Sequence, residues 1–154
     1  MPSPVPAPAP GETSLPTLLS TLSPVLHADT FCFLTLPPGT AAPASLEARM
    51  SFQEAEGMTV ITTVAAAAAH RLEYTFPCRM ITLNVHSSLE AVGFIAYVAG
   101  KLAERGIGTN PVSGFWHDHL FVPESRVGEA MGCLEGVRAE ALKKVEGGKG
   151  EEGG

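Results

Sequence analysis

"RMITLNVHSSLEAVGFIAYVAGKLAERGIGTNPV", residues 79–112, changes its hydrophobic period part-way through. Up to Val85 it alternates, with Ile81, Leu83 and Val85 on one side and Met80, Thr82 and Asn84 on the other. That is a strand with one face in a core and the other exposed or against a second sheet. The rest reads as a helix that Gly106 ends as a left-handed C-cap. Between them, Ser87-Ser88-Leu89-Glu90 fits a capping box, in which the Ser87 hydroxyl and the Glu90 carboxylate satisfy each other's backbone N–H. The spare N–H groups of a helix start, here from Ser88 to Ala91, also suit a bound carboxylate. Both readings stand on the sequence.

Further on, "TNPVSGFW" (109–116) and "HLFVP" (119–123) read as strands around a tight His117-Asp118 turn, and "ESRVGEAMGCLEGVRAEAL" as a closing helix. Its buried stripe is Val127, Ala130, Met131, Leu134, Val137 and Ala141. The second half is therefore β-α-β-β-α, short of one strand. In a ferredoxin-like sheet the strand after the first helix lies at an edge, where Pro111 is tolerated.

The first half is read as α-β-(β)-β-α. Ser14 caps a helix with Pro16 in its first turn and a stripe of Leu15, Leu18, Leu19, Leu22 and Leu26. "TFCFLTL" (30–36) and "GMTVITT" (57–63) are strands, "ARMSFQE" (48–54) a weaker one, and "VAAAAAH" (64–70) a short helix. No opening strand is visible. Two incomplete units that complete each other explain both gaps. The fold class is α+β, two interlocked ferredoxin-like units with helix-covered antiparallel sheets, at 14–74 and 75–142. A proline-rich tail (1–13) and a Gly/Glu-rich tail (143–154) flank them and are expected to be disordered.

The order β-α-β-β-α, with "SLEAVGFIAYVAGKLAERGIGTNPVSGFWHDHLFVPESRVGEAMGCL", resembles an ACT domain. It is similar to the ACT modules of aspartate kinases, where a polar strand–helix loop, a long helix, "GI.N" and a short strand follow in that order. "ITLNVHSSLEAVG" and "HDHLFVP" resemble more closely a family of small uncharacterised ACT-like proteins, in which an "EEGLT"-like segment precedes the second unit, as Glu54-Ala55-Glu56-Gly57-Met58-Thr59 does here. The resemblance implies a small effector, usually an amino acid, held between paired modules. It places His86, Ser87, Ser88, Leu89, Glu90 and Ala91 at the ligand, with Asn110 and Val112 beside them. Asn110 reads equally as a strand-end cap. The loop lacks the Asp and Pro-Gly of many effector-binding ACT domains.

One face of the central helix holds Glu90, Phe94, Tyr97, Lys101, Glu104 and Arg105, and its two aromatics imply a cover from the first half or a partner subunit. His117 and His119, two apart, share a side if they lie on one strand, and His86 would complete an open zinc site. The alternative is a hairpin turn with surface imidazoles. No phosphate loop, nucleophile elbow or H-E-x-x-H motif is present.

The net charge of −6, without a dense Lys/Arg cluster, argues against nucleic acid and anionic membrane as partners. Cys32, Cys78 and Cys133 are an odd set without a close pair, which points to inert thiols in a reducing, cytoplasmic compartment. With no basic residue before a hydrophobic stretch, the start does not read as a secretory signal. The sequence thus points to a non-enzymatic, amino-acid-binding regulatory homodimer that needs no cofactor and acts through a protein partner. The alternatives are a ligand-free docking scaffold and a metal-dependent enzyme using His86, His117 and His119.

Overall fold

The structure, a computed structural model, describes residues 1–151. Its helices are α1 (Leu15–Ser20), α2 (Val64–Ala69), α3 (Phe94–Glu104) and α4 (Val127–Glu151). Its strands are β1 (Pro24–Leu36), β2 (Met50–Gln53), β3 (Met58–Thr63), β4 (Thr75–Leu83), β5 (Asn110–Ser113) and β6 (Asp118–Pro123). They form one antiparallel sheet in the order β2-β3-β1-β4-β6-β5.

That order contains the same four-strand arrangement twice. β2-β3-β1-β4 is the first unit and β5-β6-β4-β1 the second, so β1 and β4 belong to both. The strand missing from the second half is β1. The first half needs a different correction: its opening strand exists, as β1, and β4 closes it. What it lacks is a long first helix, reduced to a 3-10 turn at Ala44–Leu46.

β1, 13 residues long, pairs with β3 along one edge and β4 along the other, and Phe31 and Phe33 have partners on both. Pro24–Leu26 pair with Leu83–Ile81, and Phe31–Leu36 pair with Thr63–Met58. The register shifts between Leu26 and Thr30, and the Arg79 guanidinium donates to the His27 carbonyl there (Nε 3.1 Å, Nη2 2.6 Å). An extra residue at such a bulge bends the strand and increases its twist. Leu26 accordingly lies on β1 and not on the helical stripe. α1 ends at Ser20, four residues before Pro24, which has no N–H to continue it.

Helices cover one face. Leu18 and Leu22 meet Val98 and Leu102 of α3, Leu134 of α4, and Ile81 and Leu120 of the sheet. The first half therefore supplies the cover predicted for the aromatic face of α3: Phe94 is buried and Tyr97 packs against the same cluster. A smaller cluster under α2 joins Cys32, Leu34 and Val60 to Leu46 and Ala67. The other face is apolar without a helix. Phe31, Ile61, Cys78, Met80 and Phe121 are buried there, and every member of the cluster comes from a strand, all six strands contributing. Phe121 meets Phe31 and Phe33 edge-on at 5.9 and 5.6 Å. The sheet curls around this cluster.

Pro111 lies on β5, an edge strand, and Gly106 takes φ +67° after α3, as the sequence predicts. The thiols are free and buried; burial raises all three, Cys78 to about 12, which keeps them as inert thiols. α4 runs through 143–151, where composition predicted a tail, and beyond Ala141 its side chains through Gly150 are exposed. Residues 152–154 lie outside the described residues. No helix among the described residues is long and apolar enough to cross a membrane.

Candidate ligand-binding loop

The strand–helix junction is a loop, not a helix start. α3 begins at Phe94, and its N-cap is Gly93 at φ +90°. The predicted capping box does not form, because Ser87 has a stronger partner. Its hydroxyl donates to Asp118 Oδ2 at 2.9 Å, with both residues buried. A bond to an ionised carboxylate is roughly twice as strong as a neutral one. Ser88 takes the local role instead: its Oγ accepts the Glu90 N–H at 3.1 Å, a turn motif two residues long.

The backbone donors predicted to cradle a carboxylate are largely engaged. Ser88 N–H donates to Glu12 O at 2.9 Å, Ala91 N–H to Ser88 O at 3.0 Å, and Glu90 N–H to Ser88 Oγ. Without α3 beginning here, the loop carries no helix-terminal charge.

A cavity of about 200 Å³ lies beside this loop. Ser87, Ser88, Ala91, Phe94, Ser113 and Asp118 are among its walls, and Asp118 is its one charged side chain. The volume is below that of a drug-sized site and suits a small metabolite. Of the residues expected at a ligand, Ser87, Ser88, Leu89 and Ala91 line it. His86 and Glu90 face a neighbouring cavity of about 180 Å³, bounded also by Pro8, Pro10 and Phe115.

Asn110 and Val112 are not brought to the cavity. Strand side chains alternate, so the two share one face of β5. Val112 packs into the strand-lined cluster on the far side of the sheet, and exposed Asn110 sits opposite Phe121 of that cluster. Ser113, one residue on, is the β5 residue that lines the site. The resemblance marks the right edge strand, but the cavity takes the opposite face of it.

The sequence predicts a turn at Asp118. The turn is instead Gly114-Phe115-Trp116-His117, closed by Gly114 N–H to His117 O at 2.9 Å, and Asp118 is the first residue of β6, opposite Leu83 and Ser113. The buried polar pair it makes with Ser87 spans 31 residues and left no local trace.

The three imidazoles weighed as zinc ligands take separate partners. His86 packs on Trp116, with centroids 5.0 Å apart. His117 Nδ1 is 3.3 Å from Val85 O. His119 Nδ1 is 2.9 Å from Thr82 Oγ1, which also meets His27 Nε2 at 2.7 Å. Burial lowers the basicity of His119 and His27; His117 and His27 add to the effect on His119, and Arg49 to that on His27. Among the described residues, no group of three His, Cys, Asp or Glu side chains is placed to hold a metal.

Two ACT-domain family profiles match, over residues 10–79 and 75–136. The chain belongs to the ACT-domain family, as a tandem. Their junction falls within β4, the strand that closes one unit and opens the next. A solved Vibrio cholerae structure, described as a protein of unknown function and possible transport protein, is 38% identical to this tandem, with a TM-score of 0.73 over 80% of this chain and 95% of that one. An Agrobacterium tumefaciens protein, Atu0741, shares the fold at 16% identity, with a TM-score of 0.66 over 76% of this chain and 89% of its own. The aspartokinase alpha and beta subunits share it at 14% identity, with a TM-score of 0.57 over 74% and 95%. No curated protein matches.

Proposed function

We propose that this tandem ACT-domain protein is a non-catalytic regulatory module that binds a small metabolite beside the loop 86–91, with an amino acid as the ligand. One observation carries this reading: a cavity whose only charged wall is the carboxylate of Asp118, held in place by Ser87. An anionic wall favours a cationic group by Coulomb attraction, so the ligand's ammonium faces Asp118. The output is mass action. A ligand that prefers one arrangement of the module shifts the population toward it and stabilises the fold. We place the protein in the cytoplasm as a homodimer acting through a protein partner; three buried free thiols suit a reducing compartment.

The test is a thermal-shift screen of the twenty amino acids and their decarboxylated amines. One or a few of them raise the melting temperature, by the equivalent of about 2.7 kcal/mol at a hundredfold excess over Kd. Asp118→Asn abolishes the response. A flat screen at millimolar concentration defeats the ligand reading in favour of a docking scaffold. The exposure of Leu89 (66%), Val92 (85%), Phe115 (48%) and Trp116 (53%) in this region is what favours that second reading.

A further inference from the structure

The proline-rich N-terminal segment does not stay clear of the site. Glu12 N–H donates to His86 O at 2.8 Å, and Glu12 O accepts the Ser88 N–H at 2.9 Å, a parallel bridge to Ser87. Gly11 lies so close to the loop that a Cβ there would be 2.5 Å from His86 O and 2.7 Å from Ser87 C and Ser88 N. These are backbone atoms that cannot swing aside, so only glycine fits. Pro8 and Pro10 continue along the loop, facing His86, Leu89 and Phe115 across the second cavity. Glu12 anchors the far end, since its carboxylate accepts the N–H groups of Thr13 and Ser14 at 2.8 Å each, just before α1.

We propose that residues 8–12 are a displaceable strap that controls access to the ligand loop. The strap's carbonyl at Glu12 holds the Ser88 N–H, the donor that a ligand's carboxylate would use once its ammonium meets Asp118. Ser88 and Leu89 line both cavities, so the strap and the ligand meet at the same two residues. A proline-rich segment suits this role. Its backbone is already extended, loses little entropy on docking, and carries few N–H groups of its own to leave unpaired when it lifts. Apparent affinity then falls in proportion to the fraction of molecules with the strap open. The inference rests on the ligand reading above and adds its regulation.

Gly11→Ala in the 154-residue chain tests it, with Gly100→Ala as the control, because a Cβ at Gly100 meets nothing within 4 Å. Hydrogen exchange reads the strap without any ligand. Loss of the two bridge hydrogen bonds accelerates exchange at Ser88 and Glu12 about tenfold in Gly11→Ala, while Ile81 and Leu120 stay protected. Titration with each amino acid that shifts either protein reads the competition: Kd falls about tenfold in Gly11→Ala and is unchanged in Gly100→Ala. A Pro8→Ser/Pro10→Ser variant, which loosens the arm without a clash, moves both readouts in the same direction by less. Unchanged exchange and affinity in Gly11→Ala overturn the strap. So does weaker binding in Gly11→Ala, which makes the arm part of the site and not its competitor. If no protein binds any amino acid, the ligand reading falls and takes the regulatory role with it, whatever exchange shows. Binding by Gly11→Ala with none by the unaltered chain is the strongest support.

Discussion

Met58 and Asp118 occupy matching places in the two units. Leu36 pairs with Met58 as Leu83 pairs with Asp118, and the far ends match as well, Phe31 with Thr63 and Cys78 with Pro123. The hairpins before them agree too: Glu54 N–H donates to Gly57 O as Gly114 N–H donates to His117 O. The backbone frame is repeated; the chemistry of its connections is not. In the first unit the connection after the opening strand is filled by Leu46, fully buried, whose carbonyl accepts the Thr62 hydroxyl at 2.6 Å. In the second, the corresponding connection carries the Ser87–Asp118 pair and a cavity. One frame thus carries one connection packed around a buried leucine and another that holds a polar pair and a cavity, and its third strand starts with Met58 in the first unit and Asp118 in the second.

The largest effect is expected from truncating Leu46. Leu46→Ala costs about 2–5 kcal/mol through lost burial and a new cavity. Because β1 is shared, chemical denaturation of the variant should stay a single transition with a lower midpoint; two separated transitions would show that the units do not depend on each other. Giving the second unit the first unit's residue at the start of its third strand comes next. Asp118→Met leaves the buried Ser87 hydroxyl without its acceptor and costs about 1–3 kcal/mol, measured the same way. Adding Ser87→Ala should recover part of that loss, since both partners are then apolar.

A smaller effect follows from Thr59 and His119, which also occupy matching places, opposite Thr35 and Thr82. Only the second unit carries a titrating group there. His119 and His27 are less basic folded than unfolded, chiefly through burial. The unfolded chain therefore binds more protons below the ordinary value of 6.5, and stability present above that pH is lost as pH falls through it. Melting at pH 7.5 and 5.5 should show the drop, and His119→Thr should reduce it; an equal drop in the variant would assign the sensitivity elsewhere. The smallest effect belongs to Asn110→Ala. Its side chain is exposed and faces away from the cavity, so stability stays within about 0.5 kcal/mol and amino-acid response is unchanged. A loss of response comparable to that of Asp118→Asn would refute the assigned alternation of β5.

The sequence by itself determined the elements whose signals are local. Pro111 marked an edge strand, Gly106 closed α3, Ser14 with Pro16 started α1, and the alternation of residues 80–85 identified β4. Each rests on one residue's backbone preference or on a short period, legible within a few positions. The strand count also raises the hypothesis that the units complete each other, though the first half lacks its closing strand and not its opening one. Only the tertiary structure decided that β1 and β4 are the shared strands, that Ser87 prefers a carboxylate 31 residues away to its own helix N-terminus, and that Gly11 and Glu12 bridge to the loop. A cap is worth about 1 kcal/mol, and a distant buried charge outbids it without altering a single neighbouring letter. The fold was legible because secondary structure is written locally. The site was legible only in part because its chemistry arises where distant segments meet.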